Sequence, residues 1–116
     1  MNRRFLAALL LTAGLAWAEG DVARGQIFYA HLLGKELGYN GAVFAKQQTA
    51  AQWERLFEKE GAEFVRIYGP QMKGEGRALI ESEHFKTRIL PHLAAFAIFY
   101  AKDRPETPVC ESAGAF

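Results

Sequence analysis

Cysteine and long apolar runs are both scarce in this chain of 116 residues, and each shortage removes a class of structure. The single cysteine, Cys110, cannot form a disulfide within the chain, so no disulfide stabilises the monomer. The longest apolar run, residues 5–16, is well short of the roughly 20 residues that a membrane-spanning helix needs. We therefore expect neither a disulfide scaffold nor a membrane span.

An excess of charge of one sign is also missing. The chain has 14 basic and 13 acidic residues, which gives a formal net charge of +1. Nucleic-acid binding depends on clustered lysine and arginine, so no nucleic-acid partner is expected. Hydrophobic residues make up 50% of the chain and aromatic residues 13%, which is enough to bury a core. The composition predicts one small globular domain.

The first residues have the features of an export signal. Arg3 and Arg4 precede the apolar run, which ends in the small-residue pattern Ala16-Trp17-Ala18. This order is typical of a secretory signal peptide cleaved before Glu19. We therefore predict a signal peptide over residues 1–18, a helical domain over 19–103 and a C-terminal tail over 104–116. The mature protein is expected in the periplasm.

Glycines divide the mature chain into helical segments, and no stretch alternates apolar and polar residues as a strand would. The pattern predicts an all-α fold. Asp21 is placed to cap a first helix that runs to about Leu33. The positions expected to be buried on this helix are Ile27, Phe28 and Leu32. Gly34 and the next two glycines predict a loop or a short irregular helix over residues 34–48.

The clearest helix start is Thr49-Ala50-Ala51-Gln52, where the threonine and glutamine side chains can form a capping box. Gly61 is expected to interrupt this helix, and Gly69-Pro70 to end it. Apolar residues lie at helical spacing on both sides of the interruption: Trp53, Leu56, Phe57, Phe64, Val65 and Tyr68.

Two more helices are predicted, one over about residues 77–88 and a last one that begins at Pro91. Proline suits a first helical turn, where no amide hydrogen is required. The last helix carries its apolar face on Leu93, Phe96, Ala97, Tyr100 and Ala101. The prolines beyond Asp103 predict a non-helical extended tail.

The opening Gly20-Asp21-Val22-Ala23-Arg24-Gly25 with Phe28-Tyr29, and the closing residues 93–101, resemble the first and last helices of class I cytochromes c. More closely, the chain is similar to small exported bacterial proteins of the cytochrome c-like group. This similarity rests on Asn40-Gly41-Ala42-Val43-Phe44-Ala45-Lys46, Thr49 with Trp53, Pro91-His92-Leu93 and Pro108-Val109-Cys110. The resemblance implies a cytochrome c-like domain in which the first and last helices pack together.

The chain departs from the cytochrome pattern at the haem attachment motif. Residues 32–37, Leu-Leu-Gly-Lys-Glu-Leu, occupy the place where C-x-x-C-H would lie. Two thiols attach haem and the adjacent histidine binds its iron, so covalent haem is not expected. The resemblance then implies an accessory or binding partner in a periplasmic redox or electron-transfer system.

Two alternatives remain open. His31 and Met72 could serve as axial ligands of non-covalently bound haem in an electron carrier, or they could be a surface imidazole and a gap-filling side chain. Cys110 could instead tether the chain to a partner, or link two copies as a disulfide dimer.

Sequence features of catalysis and metal binding are weak. No Ser-His-Asp order with supporting context, nucleophile elbow or phosphate loop is present, so no catalytic residue and no enzymatic activity is predicted. Glu83, His84 and His92 could supply part of a metal site, but tight spacings such as H-x-x-x-H are missing. We expect no metal site and no cofactor.

Overall fold

The structure is a computed structural model that describes residues 20–72 and 74–108. The predictions for residues 1–18 and for Cys110 lie outside these ranges. Within them the regular structure is helical and no strand is present, which confirms the all-α prediction. The α-helices are α1 (Val22–Phe28), α2 (Gly34–Leu37), α3 (Gly41–Ala45), α4 (Ala50–Tyr68), α5 (Glu75–Ile80) and α6 (Leu90–Phe99). In the described ranges, no helix combines the length and apolar character that crossing a membrane requires.

The first helical run is longer than the sequence predicts. Asp21 caps α1 as expected, because its side chain accepts a hydrogen bond from the Arg24 amide. A π-helical turn, Tyr29–Leu33, then leads directly into α2. Of the two predicted alternatives for residues 34–48, the short irregular helix is confirmed at Gly34, which is buried and helical. A helix-interior glycine costs only about 1 kcal/mol relative to alanine, which packing can offset.

The prediction that Ile27 is buried is also wrong. Its side chain is 53% exposed, whereas Tyr29 is fully buried. Gly25 faces α6, and a residue two positions further along a helix points to a different side. Contact between Gly25 and α6 therefore fixes which face of α1 turns inward. Phe28 and Leu32, also expected to be buried, are partly buried against the core.

Helix α4 begins as the sequence predicts. Thr49 and Gln52 form the capping box. The helix is interrupted at residues 58–61, where Lys59, Glu60 and Gly61 have left-handed φ angles of 54°, 59° and 77°. Gly69 then ends α4, and the 3₁₀ turn Gly69–Gln71 follows, so both predicted boundaries are confirmed.

The last helical run begins earlier than predicted. Helix α5 ends at Ile80, and a π-helical turn, Phe85–Ile89, continues into α6. The prediction of one helix over 77–88 is wrong, whereas Pro91 lies in the first turn of α6 as predicted. The Leu90 amide donates to the Phe85 carbonyl five residues back. We attribute this wider turn to Pro91, which has no amide hydrogen and whose ring crowds the preceding turn of an α-helix.

Helices α1 and α6 cross in backbone contact. A Cβ atom built on Gly25 would lie 2.0 Å from the His92 carbonyl oxygen and 2.6 Å from the Phe96 Cβ. Just before α1, the Asp21 amide donates a 2.9 Å hydrogen bond to Nδ1 of His92. The predicted contact between the first and last helical segments is therefore present, and the missing glycine side chain makes it possible.

Candidate functional site

Aromatic rings fill the interior that α1, α3, α4 and α6 enclose. The Tyr29 ring stacks on Phe44 at 4.5 Å between centroids, and Phe44 lies 4.8 Å from Trp53. We call the set the aromatic core, and each member is at most 1% exposed: Tyr29, Phe44, Trp53, Phe57, Phe64, Tyr68, Phe85 and Phe96. Side chains of the protein itself therefore occupy the centre of the fold.

The polar groups of the aromatic core have partners within the chain. Trp53 Nε1 donates to the Ala45 carbonyl at 2.9 Å, and the Tyr29 hydroxyl donates to the Tyr39 carbonyl at 2.7 Å. The Tyr68 hydroxyl donates to Gln47 Oε1 at 2.7 Å. In the described ranges, no buried side-chain nitrogen or oxygen atom lacks a hydrogen-bond partner. The core therefore has no unsatisfied polar group directed at a ligand.

Burial keeps the core phenols protonated. It raises the pKa of the Tyr29 hydroxyl well above its ordinary value, and the neighbouring Tyr39 and Tyr68 raise it further. Burial is also the main cause of the raised pKa of Tyr68 and of Tyr39. Deprotonated phenolates, which could act as bases, are disfavoured in this setting. The three hydroxyls act as hydrogen-bond donors.

His31 and Met72 occupy different environments. His31 is exposed and lines an open groove of about 420 Å³ with Lys35 and Glu75. Met72 is only 4% exposed and packs in the hydrophobic core. It is not among the residues that line the His31 groove. The ligand assignment of His31 and Met72 therefore stays a prediction.

The other two histidines are also separated. His92 accepts the hydrogen bond from Asp21, and its ring lies 5.8 Å from that of Phe28. His84 is exposed. Among the described residues, no group of three or more histidine, cysteine, aspartate or glutamate side chains is arranged to hold a metal ion. The sequence did not indicate the structural role of His92, because its partner lies 71 positions away.

A second groove lies at the end of α6, and we call it the Phe99 groove. It has a volume of about 230 Å³ and is lined by Gly20, Val22, Glu54, Ala95, Ile98, Phe99 and Arg104. Phe99 is 39% exposed, although it is a large apolar residue at the end of a predominantly apolar helix. The groove combines an apolar surface with one acidic and one basic residue. The apolar face predicted from helical spacing includes Phe96 and leaves Phe99 outside it, in agreement with this exposure.

Comparisons with known proteins give no match: no protein-family model, curated protein or solved structure is significantly similar to this chain.

Proposed function

We propose that this protein is an exported, cytochrome c-like accessory protein that binds a partner in a periplasmic redox or electron-transfer system and works without covalent haem. The observation that carries the proposal is the combination of a close α1–α6 crossing with an interior filled by aromatic side chains. The resemblance of the two terminal segments to cytochrome c helices supplies the redox context.

The chemistry of the described residues supports binding rather than catalysis. The buried tyrosines are held protonated, and their hydroxyls are engaged in hydrogen bonds within the chain. The surface offers a groove in which charged and apolar side chains are mixed, the Phe99 groove with Glu54, Phe99 and Arg104. Such surfaces can contact a partner without any activated nucleophile or base.

The first test is the absorbance spectrum of native protein isolated from the periplasm. We expect a helical circular-dichroism spectrum and no Soret band. A Soret band that is lost in both His31→Ala and Met72→Ala would contradict the proposal and establish the haem-carrier alternative. Glu83→Ala, at an exposed position that is not a predicted haem ligand, is the matched control.

The second test addresses the partner. Deletion of the protein in its host should slow electron flow through the periplasmic c-type cytochromes, measured as their rate of re-reduction after oxidation. Wild type and His31→Ala should both restore the rate, because the proposed role needs no haem ligand. An unchanged rate in the deletion strain would refute the accessory role. Complementation with Cys110→Ser, together with non-reducing electrophoresis, shows whether the partner contact is a disulfide.

A further inference from the structure

Residues 101–108 turn back over the connection between α3 and α4, and we call them the C-terminal strap. One side chain holds most of this segment. The Lys46 ammonium group donates hydrogen bonds to three strap carbonyls: Ala101 at 3.2 Å, Arg104 at 3.1 Å and Glu106 at 2.5 Å. Hydrogen bonds from a charged donor are stronger than those between neutral groups. Lys46 is therefore the main polar attachment of the strap.

A second set of contacts joins the strap to the start of α4. The Lys102 amide donates to the Gln48 carbonyl at 3.0 Å. In return, the Asp103 carboxylate accepts from the Ala50 amide at 2.9 Å. Amides in the first turn of a helix have no partner within the helix, and an acidic group there is favoured by the helix dipole. The strap thus completes the cap that Thr49 begins.

The strap and the helical core are held by different forces. Residues 102–107 are exposed, and only Ala101 and Pro108, at the two ends of the strap, are buried. The core is held by apolar burial of the aromatic rings, which Lys46 does not provide. Segments with few buried apolar contacts open with a lower free energy than the core does.

We propose that the C-terminal strap opens as a unit while the helical core remains folded, and that the hydrogen bonds of Lys46 hold it closed. Opening removes the Asp103 cap from Ala50. It also moves Arg104, which lines the Phe99 groove, so the shape of that groove depends on whether the strap is closed. The position of the strap therefore affects one surface of the domain. This inference stands independently of the proposed redox role.

Hydrogen exchange of individual amides in the full chain, measured by NMR, tests the proposal. In Lys46→Gln, we expect the amides of Lys102 and Arg104 to exchange at least about ten times faster, because hydrogen bonds to charged groups are lost. The Gly25 amide, which donates to the Asp21 carbonyl and lies at the α1–α6 crossing, should keep its wild-type rate. Lys35→Gln, a change at an exposed lysine on another surface, is the matched control and should leave all these rates unchanged.

Two outcomes overturn the proposal. Unchanged exchange rates at Lys102 and Arg104 in Lys46→Gln would show that Lys46 does not hold the strap closed. An equal acceleration at Gly25 would show that the strap opens only when the whole domain unfolds.

A wild-type measurement keeps the test independent of the variant's folding. In low concentrations of urea, strap exchange should depend less on urea than Gly25 exchange does, because opening the strap exposes less surface. Equal urea dependence at the two places would also refute the proposal.

Discussion

Glycine is required at two places in this molecule for opposite reasons: at the α1–α6 crossing and at the interruption of α4. Gly25, at the crossing, has an ordinary helical backbone, but a Cβ atom would overlap the His92 carbonyl and Phe96. At the interruption, Gly61 has a left-handed backbone, and the nearest atom to an added Cβ, at 3.2 Å, belongs to the flexible Leu90 side chain. The first position is limited by space and the second by backbone conformation.

The largest effect is expected from Gly25→Ala. The added methyl group must push the two helices apart or distort the last one, and overpacking of this kind costs about 3 kcal/mol. The free energy of unfolding, measured by urea titration, should fall by about that amount.

Arg24→Ala, at an exposed position next to Gly25 in the same helix, serves as the matched control and should change stability by less than about 0.5 kcal/mol. Equal stability of Gly25→Ala and wild type would show that close contact at Gly25 is not required at the crossing.

A smaller effect is expected from Tyr29→Phe, which removes a hydroxyl next to the crossing. At neutral pH the loss of its hydrogen bond to the Tyr39 carbonyl should cost about 1.5 kcal/mol. At high pH, ionisation of Tyr29 reduces this advantage of the wild type. Because burial raises the pKa of Tyr29, the unfolded chain ionises first, at about pH 10, and wild-type stability is lost as the pH rises above that value.

The difference in stability between wild type and Tyr29→Phe should therefore narrow above about pH 10, as measured by urea unfolding at a series of pH values. Tyr100→Phe, at a partly exposed tyrosine of the last helical run, is the comparison variant. Parallel pH profiles for wild type and Tyr29→Phe would contradict the expectation.

His92→Leu tests the polar part of the crossing. It keeps an apolar side chain near Phe28 but removes the acceptor for the Asp21 amide, so we expect a loss of about 1 kcal/mol. Thermal unfolding followed by circular dichroism measures it. His84→Leu, at an exposed histidine, should have little effect. A similar loss of stability in both variants would show that the Asp21–His92 hydrogen bond does not cause the loss in His92→Leu.

The smallest effect, and the only predicted gain, is expected at the interruption of α4. Lys59 has a left-handed backbone without being glycine, which costs roughly 1 to 2 kcal/mol. Glycine removes this strain but loses more entropy on folding, so Lys59→Gly should be stabilised by about 0.5 kcal/mol. Arg55→Gly, within the regular part of the same helix, should instead lose about 1 kcal/mol. Urea titration of the two variants measures whether stability rises in Lys59→Gly and falls in Arg55→Gly.

Local signals predicted the ends of several helices correctly. Asp21 and the Thr49–Gln52 pair cap helices because their side chains reach backbone amides only three residues away. The interruption at Gly61 and the end of α4 at Gly69 were predicted for the same reason, since backbone preferences act locally. The candidate site was less accessible to this reasoning. The bond between Asp21 and His92, and the contacts of Lys46 with the strap, join residues more than fifty positions apart.

The predictions of helix boundaries and burial that were wrong concern places where packing overrides local conformational preference. Gly34 and Pro91 both lie inside helical runs, each next to a π-helical turn. The wider turns change which residues face inward, and no pattern of period 3.6 anticipates them. Ile27 is apolar and yet exposed, because Gly25 determines the orientation of α1.

The sequence by itself determined the helical class, the capping residues and the main breaks, because each depends on the conformational preferences of a few neighbouring residues. Only the tertiary structure decided the rotation of α1, the continuity of the two π-containing runs and the attachment of the strap to Lys46. These features depend on close contact between distant segments, in which the loss of one methyl group or the position of one ammonium group determines how the surfaces fit.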